Sequence, residues 1–179
     1  MEKTKVLVNQ LTNKKTIIAL AKAISLIAIA VIVPLFHCQP ITGPIVNAVL
    51  FISVALLGLP TALFICLIPS VIALSFGLLP PVLAPIIPFI MISNALLIIV
   101  FNWLRDKNYW LGVVVSSGLK AIFLFSTSSI VINLLLNKAV ASKVAIMMSW
   151  PQLITALVGG VLAYFFLRIF NRQTENLKN

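Results

Sequence analysis

The sequence predicts an all-α integral membrane protein, a compact bundle of six transmembrane helices with both termini cytoplasmic. Three observations predict it. Hydrophobic residues make up 61% of the 179 positions and charged residues only 9%, against roughly 45–50% and about 25% in an average soluble domain. No Asp, Glu, Lys or Arg occurs in the 82 residues between Lys22 and Arg105, and so long an uncharged run cannot provide a wettable surface. Mean hydropathy is +1.17. Composition therefore excludes a soluble enzyme, a disordered chain and a nucleic-acid-binding module.

A helix needs about 20 apolar residues to cross about 30 Å of hydrocarbon at 1.5 Å per residue. Span 1 is Thr16 to Phe36, too long for a signal-peptide core and followed by no A-x-A-like cleavage site. Span 2 covers about 41–57 and stops at Gly58-Leu59-Pro60. Span 3 covers about 61–77, with Pro69 inside it. Leu79-Pro80-Pro81 opens a loop, and Pro85 starts span 4, which ends near Trp103. Span 5 runs from Tyr109 to about residue 134, past Lys120 and the Ser126-Thr127-Ser128-Ser129 cluster. Span 6 covers 149–170. Prolines suit helix starts, where a missing N–H costs nothing. No linker or internal repeat divides the chain, so one domain, 1–179, is expected.

The net charge of +10 fixes the orientation. Cytoplasmic loops carry the excess of Lys and Arg. Six spans place Lys3, Lys5, Lys14, Lys15, Arg105, Lys107, Arg168, Arg172 and Lys178 on one side and only Lys138 and Lys143 on the other. If residues 41–77 crossed only once, the balance would be six against five. The nine-to-two division favours six spans. Trp103, Tyr109, Trp110 and Trp150 then fall at the interfaces, where aromatic rings prefer to lie.

Polar side chains are costly in lipid, so the few present carry the information. Lys120 stands ten residues beyond Trp110, about 15 Å deep at the helical rise. A lysine there costs about 2.5–3.5 kcal/mol on insertion scales and must face protein or water. Ser116, Ser117 and Thr127 share its face. Asn94 lies at comparable depth on span 4, so the two could point into one cavity. Lys120 either meets a ligand or bonds helix carbonyls or Asn94 as structural glue. His37, Gln39 and Thr42 gather near the outer end of span 1, Asn47 sits early in span 2, and Asn133 and Asn137 lie late in span 5 or beyond. Trp150 and Gln152 begin span 6, with Thr155 and Gly159 continuing the Gln152 face. These are ligand-facing or helix–helix hydrogen-bonding groups. His37 reads more readily as a solvated loop residue than as a ligand-contacting or pH-sensitive group.

Ala19 and Ala23, at i and i+4 on span 1, and the pairs Ala156/Gly160 and Gly159/Ala163 on span 6 allow close helix approach. They serve either bundle packing or a partner subunit. Cys38 and Cys66 give neither metal spacing nor a disulfide framework. The acids are Glu2, Asp106 and Glu175, all outside the spans, so no intramembrane carboxylate offers a proton relay or sodium site. No P-loop, H-E-x-x-H or G-x-S-x-G pattern occurs. No catalytic residue, metal or cofactor is expected.

The texture of Gln39-Pro-Ile-Thr-Gly-Pro-Ile-Val-Asn47, Leu56-Leu-Gly-Leu-Pro60, Pro85-Ile-Ile-Pro-Phe-Ile-Met-Ile-Ser-Asn94, Gly118-Leu-Lys120 and Trp150-Pro-Gln-Leu-Ile-Thr155 resembles the substrate-binding S components of energy-coupling factor (ECF) vitamin transporters, over about residues 16–170. The resemblance implies a plasma-membrane subunit that captures a vitamin-like micronutrient from outside. It also implies docking on a transmembrane coupling subunit driven by two ATPase subunits, with delivery by toppling in the bilayer. The family docks through an alanine-spaced motif on helix 1, which Ala19-x-x-x-Ala23 matches. Its substrate positions correspond here to Gln39, Asn47, Asn94, Lys120, Trp150 and Gln152. The substrate itself does not carry over. As the single buried charge, Lys120 would suit a carboxylate or phosphate on the ligand, with Asn and Gln on a heterocycle and Trp150 stacked on it. A small stand-alone secondary carrier or channel is the alternative, and an intramembrane enzyme or structural subunit a third.

Overall fold

The computed structural model describes residues 14–36, 38–76, 81–135 and 148–176. His37, Asn137, Lys138 and Lys143 lie outside them, as do the side chains of Gln39 and Asn133. Six α-helices follow in order: α1 (Lys14–Ile32), α2 (Gln39–Leu57), α3 (Leu59–Ser75), α4 (Ile87–Leu104), α5 (Tyr109–Leu135) and α6 (Trp150–Asn176), with 3-10 turns at Val33–Phe36 and Pro81–Ile86. No strand occurs among the described residues. Five segments are long and apolar enough to cross a membrane, and α3 is a shorter apolar helix. The chain is a multi-pass all-α membrane bundle.

The breaks follow the punctuation in the sequence, displaced by a residue or two. Between α2 and α3 only Gly58 leaves the helical conformation, at φ 81° and ψ 169°, a region open to glycine and strained for side chains. Pro60 then falls inside the first turn of α3 rather than before it, which its fixed φ permits. Pro40 and Pro88 stand likewise at the starts of α2 and α4. The stretch 81–86 forms a 3-10 turn, so α4 begins two residues later than the expected Pro85 start. The last helix runs on to Asn176, past the apolar stretch that ends at Phe170.

Helix α2 is the axis of the bundle. It packs most extensively against α6, and α4 against α5, while α3 bridges α2 and α4. Leu50, Phe51 and Val54 on α2, Ala62, Ile65 and Cys66 on α3, Leu97, Ile98 and Phe101 on α4, Val113 on α5 and Ala156 and Ala163 on α6 form the core. Helix α1 packs on α2 and α3 and leaves Ile17, Ile18, Leu20 and Ile24 exposed. In water such a surface would be a liability. In a bilayer it is a lipid or partner face.

Two contacts fix which helix ends share a side. Arg105, just past α4, donates from Nη1 to the Val54 carbonyl near the end of α2 at 3.0 Å. Lys22, in the first half of α1, lies over the Phe170 ring late in α6, 4.8 Å from its centroid. The opposite side holds the start of α2, tied to the turn after α1 by a 3.3 Å bond from Thr42 Oγ1 to the Val33 carbonyl.

Candidate functional site, a buried lysine held by two asparagines

Lys120 projects from α5 into the bundle and is only 3% exposed. Its ammonium donates to Asn47 Oδ1 on α2 at 2.6 Å and to Asn94 Oδ1 on α4 at 2.8 Å. Charge-assisted bonds of this length are strong, and in lipid the lysine has no water to turn to. The Asn47 amide faces its oxygen to the lysine and turns its nitrogen the other way. Nδ2 donates to the Gly43 carbonyl at 2.9 Å and more weakly to Thr155 Oγ1 on α6 at 3.5 Å. Thr155 Oγ1 in turn donates to the Gln152 carbonyl at 3.1 Å. One network thereby joins α2, α4, α5 and α6. The buried Cys66 of α3 donates its thiol to the Leu63 carbonyl of its own helix.

Glycines let these groups meet. A Cβ added at Gly43 would lie 2.8 Å from Thr155 Cγ2. One added at Gly159 would lie 2.6 Å from Asn47 Cβ, 2.8 Å from the Pro44 oxygen and 2.9 Å from the Ala48 nitrogen. Helix α6 therefore lies backbone-close to α2 at the level where Asn47 turns toward Lys120.

The polar stripe on α5 faces inward through Ser116, Ser117 and Lys120, which are buried as Ser128 also is, while Thr127 is half-buried. Ser116 and Ser128 donate to carbonyls of their own helix, as do Ser53 on α2 and Ser93 on α4. Ser117 differs. Its buried hydroxyl has no hydrogen-bond partner among the described residues.

The structure brings together Asn47, Asn94 and Lys120 of the six expected substrate positions. Trp150 opens α6 with 65% of its surface exposed. Gln152, half-buried, joins the network through its backbone carbonyl. Gln39 begins α2. On α1, Ala19 is exposed and Ala23 half-buried. Thr155 and Gly43 complete the Asn47 shell and were not foreseen as its partners; the i, i+4 pairs Gly43/Asn47 and Thr155/Gly159 were the available signal. No three His, Cys, Asp or Glu side chains gather to hold a metal ion among the described residues.

At the Arg105 end a second cluster closes the bundle. Tyr109 donates its hydroxyl to the Gly160 carbonyl at 2.8 Å. Its ring stands edge-on to Phe101, with centroids 5.4 Å apart, and Phe101 stands edge-on to Phe51 at 4.7 Å. Such pairs contribute about 0.5–1.5 kcal/mol beyond burial. These groups are apolar packing with one tied hydroxyl, whereas the Lys120 network concentrates charge and polar capacity in the membrane interior.

No known protein family, curated protein or solved structure matches the chain.

Proposed function

We propose that the chain is the substrate-binding S component of an ECF-type importer in the plasma membrane, with both termini cytoplasmic. It would take a vitamin-like small molecule from outside and hand it to a transmembrane coupling subunit powered by two ATPase subunits. The observation that carries this proposal is the Lys120–Asn47–Asn94 network, a charged, polar centre held among four helices of a small bundle. An intramembrane ionisable group is functional by default. Nothing in the spans supplies a carboxylate to couple transport to a cation gradient, which favours an ATP-driven assembly over a stand-alone secondary carrier. Helix α1 fits the docking role, since its first turns leave Ala19 exposed together with Ile17, Ile18 and Leu20.

Affinity purification of the tagged full chain from its native membranes tests the proposal, with mass spectrometry of co-purified proteins and released small molecules. A coupling subunit and ATPases in the eluate are expected, with a retained micronutrient. Uptake into proteoliposomes by the chain alone, without ATP, would overturn it in favour of the carrier.

A further inference from the structure

We infer that the Lys120 network is a carboxylate site, so that the small molecule this bundle binds carries a single carboxylate and delivers it to the membrane interior. The inference deepens the importer proposal by naming the chemistry of its substrate. It rests on which hydrogen-bonding capacity remains. An ammonium has three donors and no acceptor. Asn47 and Asn94 take two of them. Asn94 has given its oxygen to the lysine, and both N–H groups of its amide are without an acceptor among the described residues. Asn47 has spent its own N–H groups on Gly43 and Thr155. Ser117, one turn before Lys120 on the same face of α5, is fully buried and unpartnered. Its neighbours Ser116 and Ser128 have turned their hydroxyls back onto their own helix. What is left over is chiefly donors: one from Lys120, two from Asn94, and the Ser117 hydroxyl, which carries one more donor beside its own lone pairs.

Orphaned donors are rarer and costlier in protein interiors than carbonyls with a spare lone pair. A carboxylate is acceptor-only and offers about four lone-pair sites on two oxygens, which matches that set. Charge selects among anions. The only acidic side chain among the described ones, Asp106, is exposed at the Arg105 end, so among them the Lys120 charge meets only amide oxygens. One carboxylate neutralises one ammonium. A phosphate, at about −1.5 to −2, would leave net negative charge in hydrocarbon. A neutral amide would accept from the donors and leave the positive charge unbalanced.

The test uses the full chain in lipid nanodiscs with 15N-labelled lysine side chains, titrated with sodium hexanoate. The Lys120 resonance is identified by its loss in Lys120→Met or, should that variant not fold, by its slow exchange with solvent. A saturable shift with hexanoate is expected, with none from hexanamide or from sodium chloride at equal concentration, and a weaker one from methyl phosphate. Ser117→Ala should weaken hexanoate binding about tenfold, the loss of one hydrogen bond to a charged group. No saturable response to hexanoate overturns the inference, as does an equal response to hexanamide or chloride, or tighter binding of methyl phosphate. No partner subunit is needed, so failure here and failure to capture a coupling complex are separate results.

Discussion

The Lys120 ammonium donates to the Asn47 side-chain oxygen across 2.6 Å, although 73 positions separate the two residues. The contact ties the helix that runs through the centre of the bundle to the one that carries its buried charge. Asn94 supplies the second oxygen from a third helix. The lysine is thus a cross-brace as well as a source of charge, and variants separate the two roles.

Removing an acceptor should hurt more than removing the charge. In Asn47→Ala the ammonium stays buried with one partner lost, at a cost of about 1–3 kcal/mol or more for a charged group. Lys120→Met keeps the length of the side chain and removes the charge that needed solvating, and such replacements are often close to neutral. Thermal unfolding in detergent should therefore rank Asn47→Ala below Lys120→Met. The double variant should be more stable than Asn47→Ala alone, because no stranded charge remains. The reverse ranking would show that Lys120 contributes mainly by packing.

Glycine substitutions report on helix approach. Gly159→Ala would drive its Cβ against the Asn47 Cβ, the Pro44 oxygen and the Ala48 nitrogen. Two of those atoms are backbone, so relief requires α2 and α6 to separate, a change of the kind that costs about 1–3 kcal/mol. An alanine at Gly118 meets nothing within 4 Å and removes a helix-interior glycine, worth about 0.5–1 kcal/mol in the other direction. Melting temperature should fall for Gly159→Ala and hold or rise for Gly118→Ala. Equal effects would mean that α2 and α6 are not in close contact.

The six helices were legible because apolar runs bounded by glycine and proline leave a membrane chain few alternatives, and Gly58 marks the break between α2 and α3. The helical rise put Lys120 and Asn94 at comparable depth and so allowed them to meet; that they do meet comes from the packing of α4 against α5. Asn47 was visible as a polar residue in a span. Its role was not, because rise gives depth along a helix and says nothing of which neighbour lies beside it. That α2 lies against α6 depends on Gly43 and Gly159 admitting Thr155 and Asn47, a matching of small and polar positions across more than 100 residues. The starts of α2, α3 and α4 shifted by about two residues because proline is accommodated within a first turn as readily as before it.

Tyr109 divides into a ring and a hydroxyl with separable effects. Tyr109→Phe removes the bond to the Gly160 carbonyl and should cost about 0.5–1.5 kcal/mol. Tyr109→Ala also removes the ring packed on Phe101 and Tyr164, for about 3–5 kcal/mol as with other large aromatic truncations. Chemical denaturation in mixed micelles would separate the two. A Tyr109→Phe variant as unstable as Tyr109→Ala would show that the hydroxyl, not the ring, closes the Arg105 end.

The docking proposal turns on α1. Ala23 is half-buried, and its neighbour Ala19 faces outward. Ala19 lies in the exposed first turns of α1, so Trp there meets no neighbour within the bundle, which should keep its melting temperature and its binding of small molecule. Replacing Ala23 by Trp presses on both sides and should lower stability as well. If α1 is the docking helix, both variants lose capture of the coupling subunit and ATP-dependent uptake, but only the second also loses stability. A fully active Ala19→Trp protein would remove α1 from the interface. A variant that loses ligand binding together with uptake would assign Ala19 to the bundle itself, since the exposed turns of α1 make no contact with the Lys120 centre.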